Sequence, residues 1–346
     1  RLELMILAVA HRSLRGDVPL PPRRSWYGPP LHGQRPLPLV ALRAAALLAG
    51  ALRALPEALL ETGEATRNCT RPLWPDLPWQ PRKIWAAVAA VYVVHFYAST
   101  LASWLGVISP AHAYDQVERI VRAELLTYTL SMIAILPLTR QLPRAAWLPY
   151  CAGNKLPRAV IAGLALTLAV SMLVGTVNRL IWPTWGAGLA HWELAFAAEL
   201  ATAPHSSPVH VAKFGALMGL LGPVWEEVFF RGFLITTLVR GVEGDRQDVS
   251  HVRTSRLRKS SAWAVFASSF VFGFFHCQPF SNNFAPFLPT AALGVVFGSL
   301  FERQRDIVVP ILVHVLWNSG YFLIVACMAG AGKAPGSITA AAWWYE

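Results

Sequence analysis

The stretch "GPVWEEVFFRGFL", residues 222–234, sets two glutamates and an arginine inside a segment made otherwise of Gly, Pro, Val, Trp, Phe and Leu. At mid-bilayer a charged side chain costs roughly 2.5–3.5 kcal/mol even on the lenient insertion scale. If the segment spans a membrane, partners must offset that cost. Glu227 and Arg231 stand four apart, so on a helix they share a face and can pair. Glu226 is turned about 100° from Glu227 and points elsewhere. The pair accounts for two of the charges and leaves the third. On this stretch alone, a buried ion-pair cluster that holds helices together and a reactive carboxylate are both open readings.

The rest of the chain supports a span. Of 346 residues, 55% are hydrophobic and only 14% charged, well below the quarter or so expected of a soluble domain. Apolar runs of about 20 residues fall near 84–108, 123–139, 159–182, 209–239, 261–277, 286–302 and 307–330. The run at 38–60 is interrupted by Arg43 and Arg53 and reads as an interfacial amphipathic helix. The expected fold is all-α, a polytopic membrane bundle of about seven to eight transmembrane helices.

Net charge is +11, but its distribution speaks of topology and not of nucleic acid. Residues 140–158 hold four basic residues and no acid, 240–260 hold six basic residues, and 183–208 hold no Lys or Arg. That alternation is the positive-inside pattern. It places the N-terminus and both basic loops on one face, with Arg119, Arg122 and Arg179 as exceptions. Four scattered cysteines without CxxC spacing give neither a cysteine zinc site nor a disulfide framework.

Three parts follow along the chain. Residues 1–83 form an Arg/Pro-rich arm and a Pro/Trp-rich connector, 84–330 the membrane domain, and 331–346 a tail. The arm has too little apolar surface to order itself, so neighbouring membrane-protein subunits are its expected partners. Its Arg-rich, acid-poor start fits the remnant of an organellar presequence.

Polar chemistry concentrates in three spans. The first is the stretch quoted above. The second contains "FVFGFFHCQPF", where Phe272 stands one turn before His276. The third contains "ILVHVLWNSG", with His314 and Asn318 four apart on one face. Taken singly, each has a bland reading as packing or interhelical hydrogen bonding. His95 and Arg179 have no partner at helical spacing and are read as packing or snorkelling. Converged, the three spans supply carboxylates, imidazoles, an amide and a guanidinium to one desolvated place. A carboxylate there suits a general base, and His or Asn can donate to a developing oxyanion. That inventory fits attack of water on an amide.

"EEVFFRG", "FGFFH" and "HVLWN" resemble the EExxxR, FxxxH and HxxxN motifs of the CAAX protease and bacteriocin-processing (CPBP, or Abi) family, which includes the type II prenyl-protein endopeptidases. The likeness covers about 210–320, in the family's order. It implies an intramembrane endopeptidase in which Glu226 activates water together with His276, while His314 and Asn318 stabilise the oxyanion. Glu227 and Arg231 would shape the site. The substrate implied is a hydrophobic or lipidated protein met within membrane lipid. Metal stays open. Glu226, His276 and His314 could ligate zinc, yet HExxH spacing is missing and the same residues serve a metal-free mechanism. The "EEVFFRGFL" form looks closer to bacterial and plastid members than to the endoplasmic reticulum enzyme. A plastid membrane is therefore favoured, with mitochondrial or endoplasmic reticulum membranes open. The competing reading is a catalytically idle subunit or assembly factor of a large organellar membrane complex. A pigment-binding or small-molecule-binding protein has no dedicated motif.

Overall fold

The computed structural model describes residues 81–104, 116–140, 156–181, 208–243, 253–277, 284, 286–304 and 306–330. Among them are seven helices and no strand. They are α1 (Pro81–Trp104), α2 (Gln116–Thr139), α3 (Leu156–Ile181), α4 (208–243), α5 (Arg253–Phe275), α6 (Phe287–Gln304) and α7 (Val308–Gly330). Each of the seven apolar runs falls on one of them. The arm and connector up to residue 80, the expected interfacial helix at 38–60 and the tail 331–346 lie outside the described residues.

Local chemistry explains the helix starts. Pro81 opens α1 and Pro208 opens α4, where a missing N–H breaks no helical bond. Asp306 Oδ1 accepts from the Val308 N–H at 2.8 Å and so caps α7. α5 begins at Arg253, inside the basic stretch that the sequence reads as a loop. Arg, Leu and Lys are good helix formers, so the helix runs on beyond its apolar segment.

α4 is continuous but irregular. Leu217–Leu221 and Val228–Ile235 are π-helical, and Glu226 and Glu227 lie on the short α segment between them. The first π turn has a sequence cause. The Gly222 N–H bonds Leu217 O, an i→i+5 bond. The next donor in that series would be residue 223, a proline without an N–H.

α4 is also the central helix. Every residue from 229 to 239 is buried, as expected of a helix that is apolar all round. Trp225, Phe229, Phe230 and Phe233 pack with Ile84 and Val91 of α1, Ile135 of α2 and Phe272 and Phe275 of α5. A second cluster joins Val170 and Val174 of α3, Val296, Phe297 and Leu300 of α6, and Val309 and Val313 of α7. Glu227 and Arg231 of the opening stretch therefore sit in protein. At one end of the bundle Lys213 of α4 donates to Glu118 Oε1 of α2, with Arg122 Nε 3.9 Å from Oε2. The Lys213 hydrogen bond, helped by Arg122, holds the Glu118 carboxyl below its usual range. Further along both helices Tyr128 of α2 stacks on Trp225 of α4 at 5.1 Å between ring centres, so α2 and α4 run in the same direction.

Two windows are long and apolar enough to cross a membrane by length and composition, Ile120–Thr139 in α2 and Leu156–Asn178 in α3. Only 22% and 39% of these windows are buried, so neither is a soluble-type core helix. Leu125, Ile133, Ile161, Leu168, Met172 and Leu173 are exposed along them. An apolar surface of that extent is costly in water and suits hydrocarbon. Against the expected seven to eight spans stand seven helices among the described residues, with the two such windows in α2 and α3. Lys83–Tyr97, Ser261–Phe275 and Val308–Ile324 are shorter apolar stretches, and α4 is broken by its own charges.

Close packing of α5 on α6 depends on glycine. A Cβ on Gly294 would stand 3.0 Å from Ser269 Cα and 3.2 Å from Phe272 Cδ1, whereas one on Gly215 would meet nothing within 4 Å. Gly294→Ala is expected to cost about 1–3 kcal/mol by overpacking. Gly215→Ala, inside a helix, is expected to gain about 0.5–1 kcal/mol. Thermal unfolding of the purified protein in detergent checks both signs.

Candidate active site

Glu227 has no exposed surface and Arg231 keeps 1% of its side chain exposed. One α-helical turn apart in sequence, they meet as their spacing leads one to expect, Arg231 Nη1 donating to Glu227 Oε1 at 2.9 Å. Arg231 Nη2 donates to Gly294 O of α6 at 3.1 Å. The guanidinium also lies 4.6 Å from the ring centre of Phe272, 5.4 Å from Phe297 and 5.8 Å from Phe230. Aromatic faces thus stand where water would solvate the cation.

The same carboxylate oxygen takes a second donor. His314 Nδ1 lies 2.8 Å from Glu227 Oε1. A carboxylate accepts, so Nδ1 carries the hydrogen, and in the neutral form of the ring Nε2 holds the lone pair. His314 Nε2 lies 3.8 Å from Glu226 Oε2. Adjacent glutamates on one helix therefore address opposite nitrogens of one imidazole. Their surroundings differ. Glu226 keeps 21% of its side chain exposed and Glu227 none. Phe297 stacks on the imidazole at 4.6 Å between ring centres, which fixes the ring plane.

His276 stands in the turn that ends α5, its N–H bonded to Gly273 O at 3.2 Å. Its Nδ1 bonds Phe272 O at 2.8 Å. A carbonyl only accepts, so Nδ1 again carries the hydrogen and Nε2 holds the lone pair. The Phe272 ring centre lies 4.6 Å from that of His276 and 6.2 Å from that of His314. One phenyl ring thus contacts Arg231 and both imidazoles. This gives a physical reason for the aromatic residue one turn before His276.

Asn318 reaches α4 as well, its Nδ2 donating to Met218 O at 3.1 Å. The next residue does likewise, Ser319 Oγ donating to Gly219 O at 3.1 Å. Of the residues expected to be bystanders, His95 packs its ring 5.2 Å from Phe96 and 5.3 Å from Phe275, and the side chain of Arg179 lies outside the described residues. Among the described residues no three His, Cys, Asp or Glu side chains gather into a group able to hold a metal ion. Glu226, His276 and His314 are not gathered into such a group.

Several residues of this site carry no polar or motif signal. Gly294 contributes only a carbonyl, Phe297 only a ring face, and both come from α6, a run with no polar cluster. Ser319 stands beside the HxxxN pattern and Pro223 just before the glutamates. The glutamates beside an N–H-less residue were visible, but which carbonyls Pro223 leaves unmatched depends on the helix type.

Residues 208–320 match the family model of the type II CAAX prenyl endopeptidase Rce1-like domain. No curated protein and no solved structure matches the chain. The matched region runs from the start of α4 through Gly320 and so contains every pairing described among Glu226, Glu227, Arg231, His276, His314 and Asn318. The region is thus similar to a type II CAAX prenyl endopeptidase domain over about a third of the chain.

Removing one member of a buried ion pair leaves the other charge without compensation, at about 3–5 kcal/mol. Arg231→Ala is expected to show that loss as a lower unfolding midpoint in detergent. Glu226→Gln keeps the shape of a partly exposed side chain, and its midpoint is expected to stay within about 0.5 kcal/mol of the parent.

Proposed function

We propose that the chain is an intramembrane endopeptidase of the CAAX prenyl type, cutting a peptide bond of a lipidated protein near the membrane face with water activated by Glu226. The observation that carries this reading is the imidazole of His314 held between two unlike carboxylates, one sequestered on Arg231 and one partly open. Glu227 is committed to Arg231 and His314, so Glu226 is the carboxylate left to meet water.

The chemistry follows from the tautomers. Nε2 of His276 accepts a hydrogen bond from the attacking water and orients it. Glu226 takes a proton as the water oxygen bonds the scissile carbonyl carbon, and the carbonyl oxygen becomes an oxyanion. Asn318 Nδ2 carries a second hydrogen beyond the one given to Met218 O, and it serves that oxyanion. Neutral His314 cannot donate from Nε2. It donates only after taking a proton there, and Glu226 Oε2 is the near source. Collapse of the intermediate breaks the C–N bond, and the one proton shared by Glu226 and His314 returns to Glu226 and passes to the leaving amine. His314 is then a proton-sharing partner of Glu226 first and an oxyanion donor second, which refines the role expected for it.

The two large basic stretches support an orientation with both on one face of the membrane. The finer placement in a plastid membrane rests on the "EEVFFRGFL" likeness alone.

Glu226→Gln and His276→Ala are each expected to lower kcat for a farnesylated CAAX peptide by at least about 100-fold, the usual scale for a general base. Cleavage assays on the reconstituted full chain decide this. Parent-like rates in either variant would remove the assignment.

A further inference from the structure

Pro223 lies between the first π turn and Glu226, and its missing N–H has two consequences. In the i→i+5 series begun by Gly222 on Leu217, residue 223 would serve Met218 O. In the i→i+4 series of a regular α-helix it would serve Gly219 O. A proline serves neither. Those two carbonyls are the ones that α7 takes up, Met218 O through Asn318 Nδ2 and Gly219 O through Ser319 Oγ, each at 3.1 Å. Consecutive acceptors on α4 thus meet consecutive donors on α7. Gly219 makes room for this, since a Cβ there would stand 2.9 Å from Ser319 Oγ.

A π turn puts more residues into one turn than an α turn does. Keeping or losing it therefore changes the direction in which all later side chains of α4 point. Glu226 and Glu227 begin only three and four residues after Pro223. Their approach to His314 (2.8 Å to Glu227, 3.8 Å to Glu226) uses the same helix, α7, that carries the two donors.

We propose that Ser319, together with Asn318, is a positioning residue: the two side chains hold the two carbonyls that Pro223 cannot serve in either helical register, and so fix the π turn that aims Glu226 and Glu227 at His314. Ser319 lies outside the residues to which the family motifs point. The proposal deepens the peptidase reading of this site and rests on it for its kinetic arm. Its structural arm stands without that reading.

The decisive variant is Pro223→Ala, which restores an N–H and lets residues 217–222 relax to a regular helix. The expected result has two parts. The unfolding midpoint stays level or rises, while kcat for the farnesylated peptide falls at least about tenfold with KM within about twofold, on the scale by which small misplacements slow catalysis. Ser319→Ala is expected to lower kcat in the parent, Ser319→Thr to restore it, and Ser319→Ala to do nothing further in the Pro223→Ala background. A merely structural role for Pro223 predicts instead that stability and rate fall together. The second measurement needs no substrate. In protein with isotope-labelled histidine, the His314 Nδ1–H resonance is expected to shift in both Pro223→Ala and Ser319→Ala. An unmoved resonance in both variants overturns the proposal, as does a parent-like kcat in Pro223→Ala. If the parent cleaves no prenylated peptide while the resonance still shifts, the peptidase reading fails and the positioning of the glutamates stands.

Discussion

Glu227 Oε1 accepts two hydrogen bonds, from Arg231 on its own helix and from His314 on α7, in a place with no exposure to solvent. Much of the bundle can be read from that oxygen. Arg231 needs a further acceptor and finds Gly294 O on α6, which requires α6 to come close. Its guanidinium needs polarizable neighbours and finds Phe272 and Phe297. His314 is left with one orientation and one tautomer. Three helices are thereby drawn against α4 by the needs of a single ion pair. The pair itself is a poor source of stability, since Glu227 Oε2 and Arg231 Nε have no hydrogen-bond partner among the described residues. Buried pairs of this kind often gain little over apolar replacements, so here geometry is the better account of it.

The three polar clusters and the seven helices were legible because both are signals of residue type at a fixed period. Glu227 and Arg231 could be paired from spacing, and His314 with Asn318 could be placed on one face. What could not be read was which side of an imidazole each glutamate would meet. Spacing of 100° separates Glu226 from Glu227 on a regular helix, and α4 is not regular. The contribution of α6 was also invisible, because a carbonyl exists at every residue and Phe297 looks like any core aromatic. Seven helices stand among the described residues at the seven apolar runs, and α2 and α3 hold the two windows long and apolar enough to cross a membrane.

Phe272 shows how a side chain without polar atoms can bind a site together. It touches the guanidinium, His276 and His314, and it also packs edge-on against Phe230 at 4.9 Å. Residues that share one neighbour do not act independently. His276 and His314 are therefore coupled through packing.

The order in which the chain is made gives the buried network one more meaning. Arg231 finds Glu227 within its own helix, four residues back, as soon as α4 forms. His314 is 87 residues further along, and Gly294 is 63 residues beyond Arg231. On the proposed membrane reading, α4 forms with its ion pair only half completed, and its own turn cannot supply the missing partners. The α4 segment then becomes stable at depth only once α5, α6 and α7 have followed it.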